Sequence, residues 1–439
     1  MPEWFDELSE FLRIPSVSAD ATHQADVRRA GEWVCALIRG AGGDAELVDF
    51  DGQPLAVGEI RASSGADSAR TVLCYGHFDV QPPDPLELWE SAPFEPEIRG
   101  EYLYGRGVAD DKGQLYLMLA AARELAAAGT LAVNVRFVCD GEEETGGQSV
   151  LGYLAQDDRG ADVAVIFDSG MIARDVPAFN VATRGLVYFH LTLRSGERDL
   201  HSGHYGGAAL NAVTALCELL ASVSGDNGRL AEPLRAGVIA PTAEELEGWA
   251  ALPTGADELS LAGVAPKDST AARDYYLRTF AEPALDVNGV HGGSPTLEKT
   301  VLPVEAEANV SIRLAPGQDP EAIATAFTEL LREATPEGAS LEIELMSRAD
   351  PGIVDPRSPA VALGQDAFER ALGVRPLLTR SGGTLPIVAA LSGHGIPTII
   401  TGFSLPDAQI HSPNERLLAE YIPQGIAAAR ALFEEFAGL

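Results

Sequence analysis

Five short segments of this 439-residue chain, each just after an apolar run, carry side chains able to hold metal ions. They are Leu73-Cys-Tyr-Gly-His77-Phe-Asp79, Gly105-Arg-Gly-Val-Ala-Asp110-Asp-Lys-Gly113, Cys139-Asp-Gly-Glu-Glu143-Glu144-Thr-Gly-Gly147, Val165-Ile-Phe-Asp168 and Ile410-His411-Ser-Pro-Asn414. Two histidines and three carboxylates (His77, His411, Asp110, Glu144 and Asp168) suit a pair of divalent ions. One carboxylate would bridge them, and Glu143 is left over to move protons. That is the inventory of a metal-assisted hydrolase.

Each segment also has a plainer reading. A ligating imidazole must be neutral, with its second N–H held by a partner, and Asp79 could hold His77 in that way. The alternative is a buried histidine closing a strand. Asp110-Asp111 follows a glycine-rich turn and precedes a helical pattern, so an N-cap is the ordinary use. A phosphate loop is disfavoured, because two carboxylates stand where an anion would bind. The run Asp140-Gly-Glu142-Glu143-Glu144 would by default be a solvated charge run. After a buried strand, however, neighbouring carboxylates repel unless cations or protons compensate. Two ions relieve this if Glu144 ligates and Glu143 accepts a proton. His201-Ser-Gly-His204 is either a plain surface stretch or a cover that stabilises charge on a reacting carbonyl oxygen, and spacing does not choose. His23, His190, His291 and His394 read as structural. No Gly-x-Ser-x-Gly elbow is present.

These residues need a frame that converges them. Helical patterns cover 3–13, 22–40 (capped by Thr22), 113–128 and 150–155, and strands cover 71–75, 133–139 and 163–167. The alternation predicts an α/β domain with a mostly parallel sheet and helices on both faces. In such sheets ligands bind at the carboxyl ends of strands, where His77, Glu143, Glu144 and Asp168 all fall. The rhythm changes near Arg184. Strands at 186–193, 306–314 and 341–345 with helices at 211–223 and 320–333 predict an inserted α+β unit. The α/β pattern then resumes with a helix at 359–371, a strand at 398–401 and a final helix at 423–436. The expected division is 1–184, 185–348 and 349–439. Residues 225–290 give no clear pattern.

Lys and Arg number 31 against 65 Asp and Glu, a formal charge of −34. Such a surface repels nucleic acid and anionic lipid, so neither is an expected partner. No run reaches the ~18 apolar residues that would span a bilayer. The acidic N-terminal stretch does not resemble a signal peptide. The four cysteines form no Cys-x-x-Cys pair. A cytoplasmic protein is expected.

Taken together, the segments between about 70 and 415 resemble the co-catalytic dizinc exopeptidases that include carnosinase, cytosolic non-specific dipeptidases, aminoacylase and succinyl-diaminopimelate desuccinylase. Arg198–Gly207, Ser311-Ile-Arg313-Leu-Ala-Pro and Arg380-Ser-Gly-Gly-Thr384-Leu-Pro are similar to the dipeptidase branch. The resemblance implies a phosphorylase/hydrolase-like sandwich with an inserted lid and dimerisation domain. It also implies two divalent ions, zinc first, with manganese or cobalt as substitutes. His77 and Asp168 would hold one ion, Glu144 and His411 the other, and Asp110 would bridge them, with a cis peptide to Asp111. Metal-bound hydroxide would be the nucleophile, Glu143 the general base and acid, and Asp79 the support of His77. From the partner subunit of a homodimer, His201 would polarise the scissile carbonyl and Arg313 would bind the substrate's carboxylate. Gly382, Gly383 and Thr384 would add substrate contacts.

The implied reaction is hydrolysis of dipeptides or short peptides. Where similar dipeptidases have Glu after the arginine of that last loop, this chain has Ser381, which brings N-acyl substrates of a deacylase or desuccinylase into play. An acidic metal-binding protein with a decayed site is the non-enzymatic alternative.

Overall fold

The computed structural model describes residues 2–225 and 229–439. Met1 and part of the unclear 225–290 stretch lie outside the described residues. Two compact units form. One comprises the chain up to Val181 with Val354–Thr379 and Ala390–Leu439; the other comprises Ala182–Ile353 and Arg380–Ala389.

The first unit is built on a six-stranded sheet in the order Asp44–Val48, Leu55–Ile60, Asn134–Asp140, Thr71–His77, Val163–Phe167, Thr398–Thr401. The last four run parallel to one another, and Leu55–Ile60 is antiparallel to both of its neighbours. Strands Asn134–Asp140 and Val163–Phe167 are buried at every residue. Both faces of these strands are therefore covered, which explains why they read as apolar runs rather than alternations. Helix Lys112–Ala127 is likewise buried on most sides and packs on the final helix Tyr421–Glu435. The expected helices and strands of this unit are present within two residues of their bounds. Thr22 is not a helix cap. Asp20 accepts the Thr22 N–H and opens a short 3-10 turn, and helix Gln24–Gly40 starts only after it. The Thr22 hydroxyl is itself spent donating to Asp20 Oδ1 at 2.8 Å.

A small antiparallel sheet sets Tyr102–Tyr104 between Glu97–Arg99 and Arg416–Leu418. This pairing lays the segment after His411 beside the segment that leads into Gly105–Asp110.

The second unit has a four-stranded antiparallel sheet in the order Ala284–His291, Glu305–Leu314, Gly185–Arg194, Ser340–Ala349. Val187, Phe189, Leu191 and Leu193 alternate inward and meet helices Ala212–Val223 and Pro320–Ala334. The Phe189 and Phe327 rings lie 4.8 Å apart. Asn211 and Asp319 cap these helices through their side chains. Two further helices, Ala243–Trp249 and Gly255–Leu261, occupy the unclear stretch, each opened by a capping box.

Candidate active site

At the carboxyl end of Thr71–His77 the chain delivers His77, which is fully buried. Gly76 before it has no side chain for a reason: a Cβ there would lie 2.6 Å from Asp111 Oδ2. That carboxylate oxygen accepts the His77 backbone N–H at 3.1 Å. The His77 ring is held by Asp79, whose carbonyl oxygen lies 3.1 Å and whose Oδ1 lies 3.3 Å from Nδ1. Nε2 is thereby turned toward Asp110 Oδ1, 2.9 Å away.

Asp79 has a second task that its position in the sequence gave no sign of. Its two oxygens accept the backbone N–H groups of Glu143 and Glu144, each at 3.2 Å. One carboxylate thus fixes both the first imidazole and the turn carrying two acidic side chains. Gln81 adds a hydrogen bond from Nε2 to Glu144 Oε2 at 2.9 Å.

Asp110 is the centre of the cluster. Its Oδ2 lies 2.9 Å from His411 Nε2, opposite the contact with His77, and His411 Nε2 lies 3.2 Å from Glu144 Oε2. The Asp110–Asp111 peptide is cis. Asp111, not Asp110, stands at the N-cap of helix Lys112–Ala127, and it makes no capping hydrogen bond. His411 has φ 61, a left-handed conformation uncommon for a residue with a side chain and enriched at functional sites.

Burial alone would push the Asp110 carboxyl up, but hydrogen bonds from His411 and His77 hold it below the ordinary range. Hydrogen bonds to Asp110 and Glu144 push the His411 imidazole up to about 10. Burial raises Glu143 to about 7, reinforced by Glu144, Asp110 and Asp79 and opposed by His77. Asp168, just past strand Val163–Phe167, is raised well above the ordinary range by burial and by the charges of Asp110, Glu143 and Glu144. So Asp168 belongs to the same electrostatic cluster.

The donor set fits divalent ions. Ligand atoms of His77, Asp110 and Glu144 lie within 4.8 Å of one another. The buried Glu144 Oε1 has no hydrogen-bond partner. Among the described residues no lysine or arginine is ion-paired with Asp110, Glu143, Glu144 or Asp168, and cations would balance these carboxylates.

Other residues that position this cluster were not singled out from the sequence. Glu415 is fully buried, pairs with Arg106 at 2.7 Å, and accepts the N–H groups of Gly107, Ala109 and Asp110. Gln114 donates to the carbonyls of Ala109 and Ser169 and accepts from the Phe403 N–H. The only sequence signal for Glu415 was its place four residues after His411.

His201 and Arg313 lie in the second unit. His201 is exposed, and its Nδ1 accepts the Gly203 N–H at 3.1 Å. With Nδ1 accepting, Nε2 is the ring nitrogen left to donate. Arg313 Nη1 donates to Thr384 Oγ1 at 2.8 Å. The Gly383 N–H donates to Ser381 Oγ and the Gly383 carbonyl accepts the Arg184 N–H. Arg313 and the Gly382–Thr384 loop are therefore neighbours.

Known proteins match this chain over most of its length. A cysteinylglycine-S-conjugate dipeptidase of Corynebacterium striatum is 28% identical over 98% of this chain and 94% of its own. The Beta-Ala-His dipeptidase of Homo sapiens is 28% identical over 98% of this chain and 86% of its own. An M20 family metallo-carboxypeptidase of Sulfolobus solfataricus has the same fold with TM-score 0.87 and 26% identity, covering 100% of both chains. Human carnosine dipeptidase 1 superposes with TM-score 0.79 at 25% identity, over 100% of this chain and 96% of that one. With residues 73–435 matching the model of peptidase family M20/M25/M40, the chain belongs to that family and is a metal-dependent peptidase.

Proposed function

We propose that the chain is a dipeptidase that hydrolyses the peptide bond of dipeptides and short peptides with a free carboxylate, using two zinc ions. The observation that carries this reading is the Asp110 carboxylate set between two imidazoles, His77 and His411, beside Glu143 and Glu144. When bound, the ions would polarise the scissile carbonyl and ionise a water, whose pKa falls from ~16 to near 7 on a divalent ion.

His77 and Asp168 would hold one ion, Glu144 and His411 the other, and Asp110 both. Glu143 takes a proton from the attacking water and returns it to the leaving amine, a task suited to a carboxyl poised near neutrality. Asp79 keeps His77 and the Glu143–Glu144 turn in register. His201, as the Nε2–H tautomer, donates to the carbonyl oxygen as charge develops there. Arg313, Gly382, Gly383 and Thr384 bind the carboxylate end. We further propose a homodimer in which His201 and Arg313 serve the partner's site. A cytoplasmic setting is supported by four free thiols.

A deacylase reading is favoured by Ser381, whose hydroxyl caps its own loop and offers no negative charge to a substrate amine. Rates on a dipeptide panel and on N-acyl amino acids, each with zinc and with manganese, decide between them. Turnover of N-acyl amino acids alone would overturn the dipeptidase reading. An acidic metal-binding protein would bind many ions weakly and hydrolyse neither.

A further inference from the structure

The second unit holds a buried guanidinium to which no carboxylate of the described residues is bonded. Arg184 stands one residue before strand Gly185–Arg194, and Arg313 stands next to last in Glu305–Leu314. Gly185 pairs with Leu314, so both arginines lie at the same end of the sheet. Arg184 is 6% exposed. Its Nη1 donates to the Thr279 carbonyl at 3.1 Å, and its backbone N–H donates to the Gly383 carbonyl at 2.9 Å. Its Nε and Nη2 are buried and have no hydrogen-bond partner among the described residues. Burial and the neighbouring Arg313 charge push Arg184 down to about 10, and Asp286 opposes this only through space.

A buried cation with two idle donors, next to a second cation, is strongly unfavourable unless something negative fills the gap. The Nε and Nη2 hydrogens form one edge of the guanidinium plane, the edge that grips a carboxylate with two parallel hydrogen bonds. Thr384, bonded to Arg313, lies one residue from Gly383, which Arg184 holds. The loop therefore ties the two side chains to a single locus.

We propose that Arg184 and Arg313 together clasp the substrate's terminal carboxylate, Arg184 through its Nε–Nη2 edge, and that Arg184 thereby sets the preference for a free acid over an amide. The identity of the ligand rests on the dipeptidase reading above.

The test compares wild type, R184Q and R184K on glycyl-leucine and glycyl-leucinamide. R184Q is expected to raise KM for the acid by about tenfold or more. Its kcat should change by less than about threefold, and the amide should be almost unaffected. R184K, which keeps the charge but not the fork, is expected to fall between. The melting temperature of R184Q should hold or rise, since an uncompensated buried charge is gone, whereas a purely structural arginine would lower it. Equal effects on acid and amide would overturn the proposal. If R184Q does not fold, an undiminished acid preference in R184K overturns it. If wild type cleaves neither compound, the dipeptidase reading fails, and the Arg184 site is judged by thermal shift with glycyl-leucine. Stabilisation of wild type but not of R184K then supports it, and equal shifts overturn it.

Discussion

The carboxylate of Glu415 accepts the backbone N–H of Asp110 at 3.1 Å, across a separation of 305 residues. His411 sits four residues before Glu415, so this bond ties the loop of one candidate ligand to the loop of another. Arg106 and the Gly107 and Ala109 N–H groups lock the same carboxylate in place. E415Q keeps the volume but removes the charge and turns one acceptor into a donor facing N–H groups. Zinc affinity, measured by chelator competition, should fall by roughly 10–100-fold, as for other groups that orient metal ligands. Unchanged affinity in a folded variant would remove Glu415 from this role.

E143Q should keep its two ions by metal analysis and lose about 10²–10⁴-fold in turnover, the range for a positioned proton carrier. A rate near that of wild type would mean that another group moves the proton.

Metal affinity should climb with pH. In the metal-free site His411 is raised from 6.5 to about 10 by its bonds to Asp110 and Glu144. Its proton therefore stabilises the metal-free fold fully below 6.5, and that stabilisation is lost as pH rises through about 10. A cation must displace this proton, so affinity gains about tenfold per pH unit within that window for each proton released. Calorimetry in buffers of different ionisation enthalpy counts the protons, and a count of zero contradicts the scheme.

Mixing H201A and E143A subunits tests the shared site. Neither homodimer turns over, but a random mixture should recover about a quarter of wild-type activity, because one of the two sites in each heterodimer is intact. Exchange without recovery shows that each subunit uses its own His201.

Thiol chemistry probes the packing. Cys35, Cys74 and Cys139 are buried, and burial pushes Cys35 up to about 11 and the other two up as well, while Cys217 is exposed. A disulfide reagent should titrate one thiol rapidly in the native protein and three more only on unfolding.

Much of the first unit was legible because its strands are buried on both faces and its long helices keep their period. Thr71–His77, Val163–Phe167 and Thr398–Thr401 each place a candidate ligand at or after the carboxyl end, so their chemistry could be read with their position. Short strands such as Glu97–Arg99 and Arg416–Leu418 could not, since three residues carry no period. The helices at 243–249 and 255–261 were written in capping boxes, Thr242 with Glu245 and Thr254 with Asp257, but they are too brief for an apolar face to stand out. Glu415, Gln114 and Arg184 escaped because a side chain that works by bonding distant backbone has no local signature. Only the packed chain brings its partners near.

The pairing of Tyr102–Tyr104 with Arg416–Leu418 also carries a consequence for biogenesis. A nascent chain shorter than 411 residues offers a cation His77, Asp110 and Glu144 but not His411, and the strand that seats that imidazole is whole only once residue 418 is made.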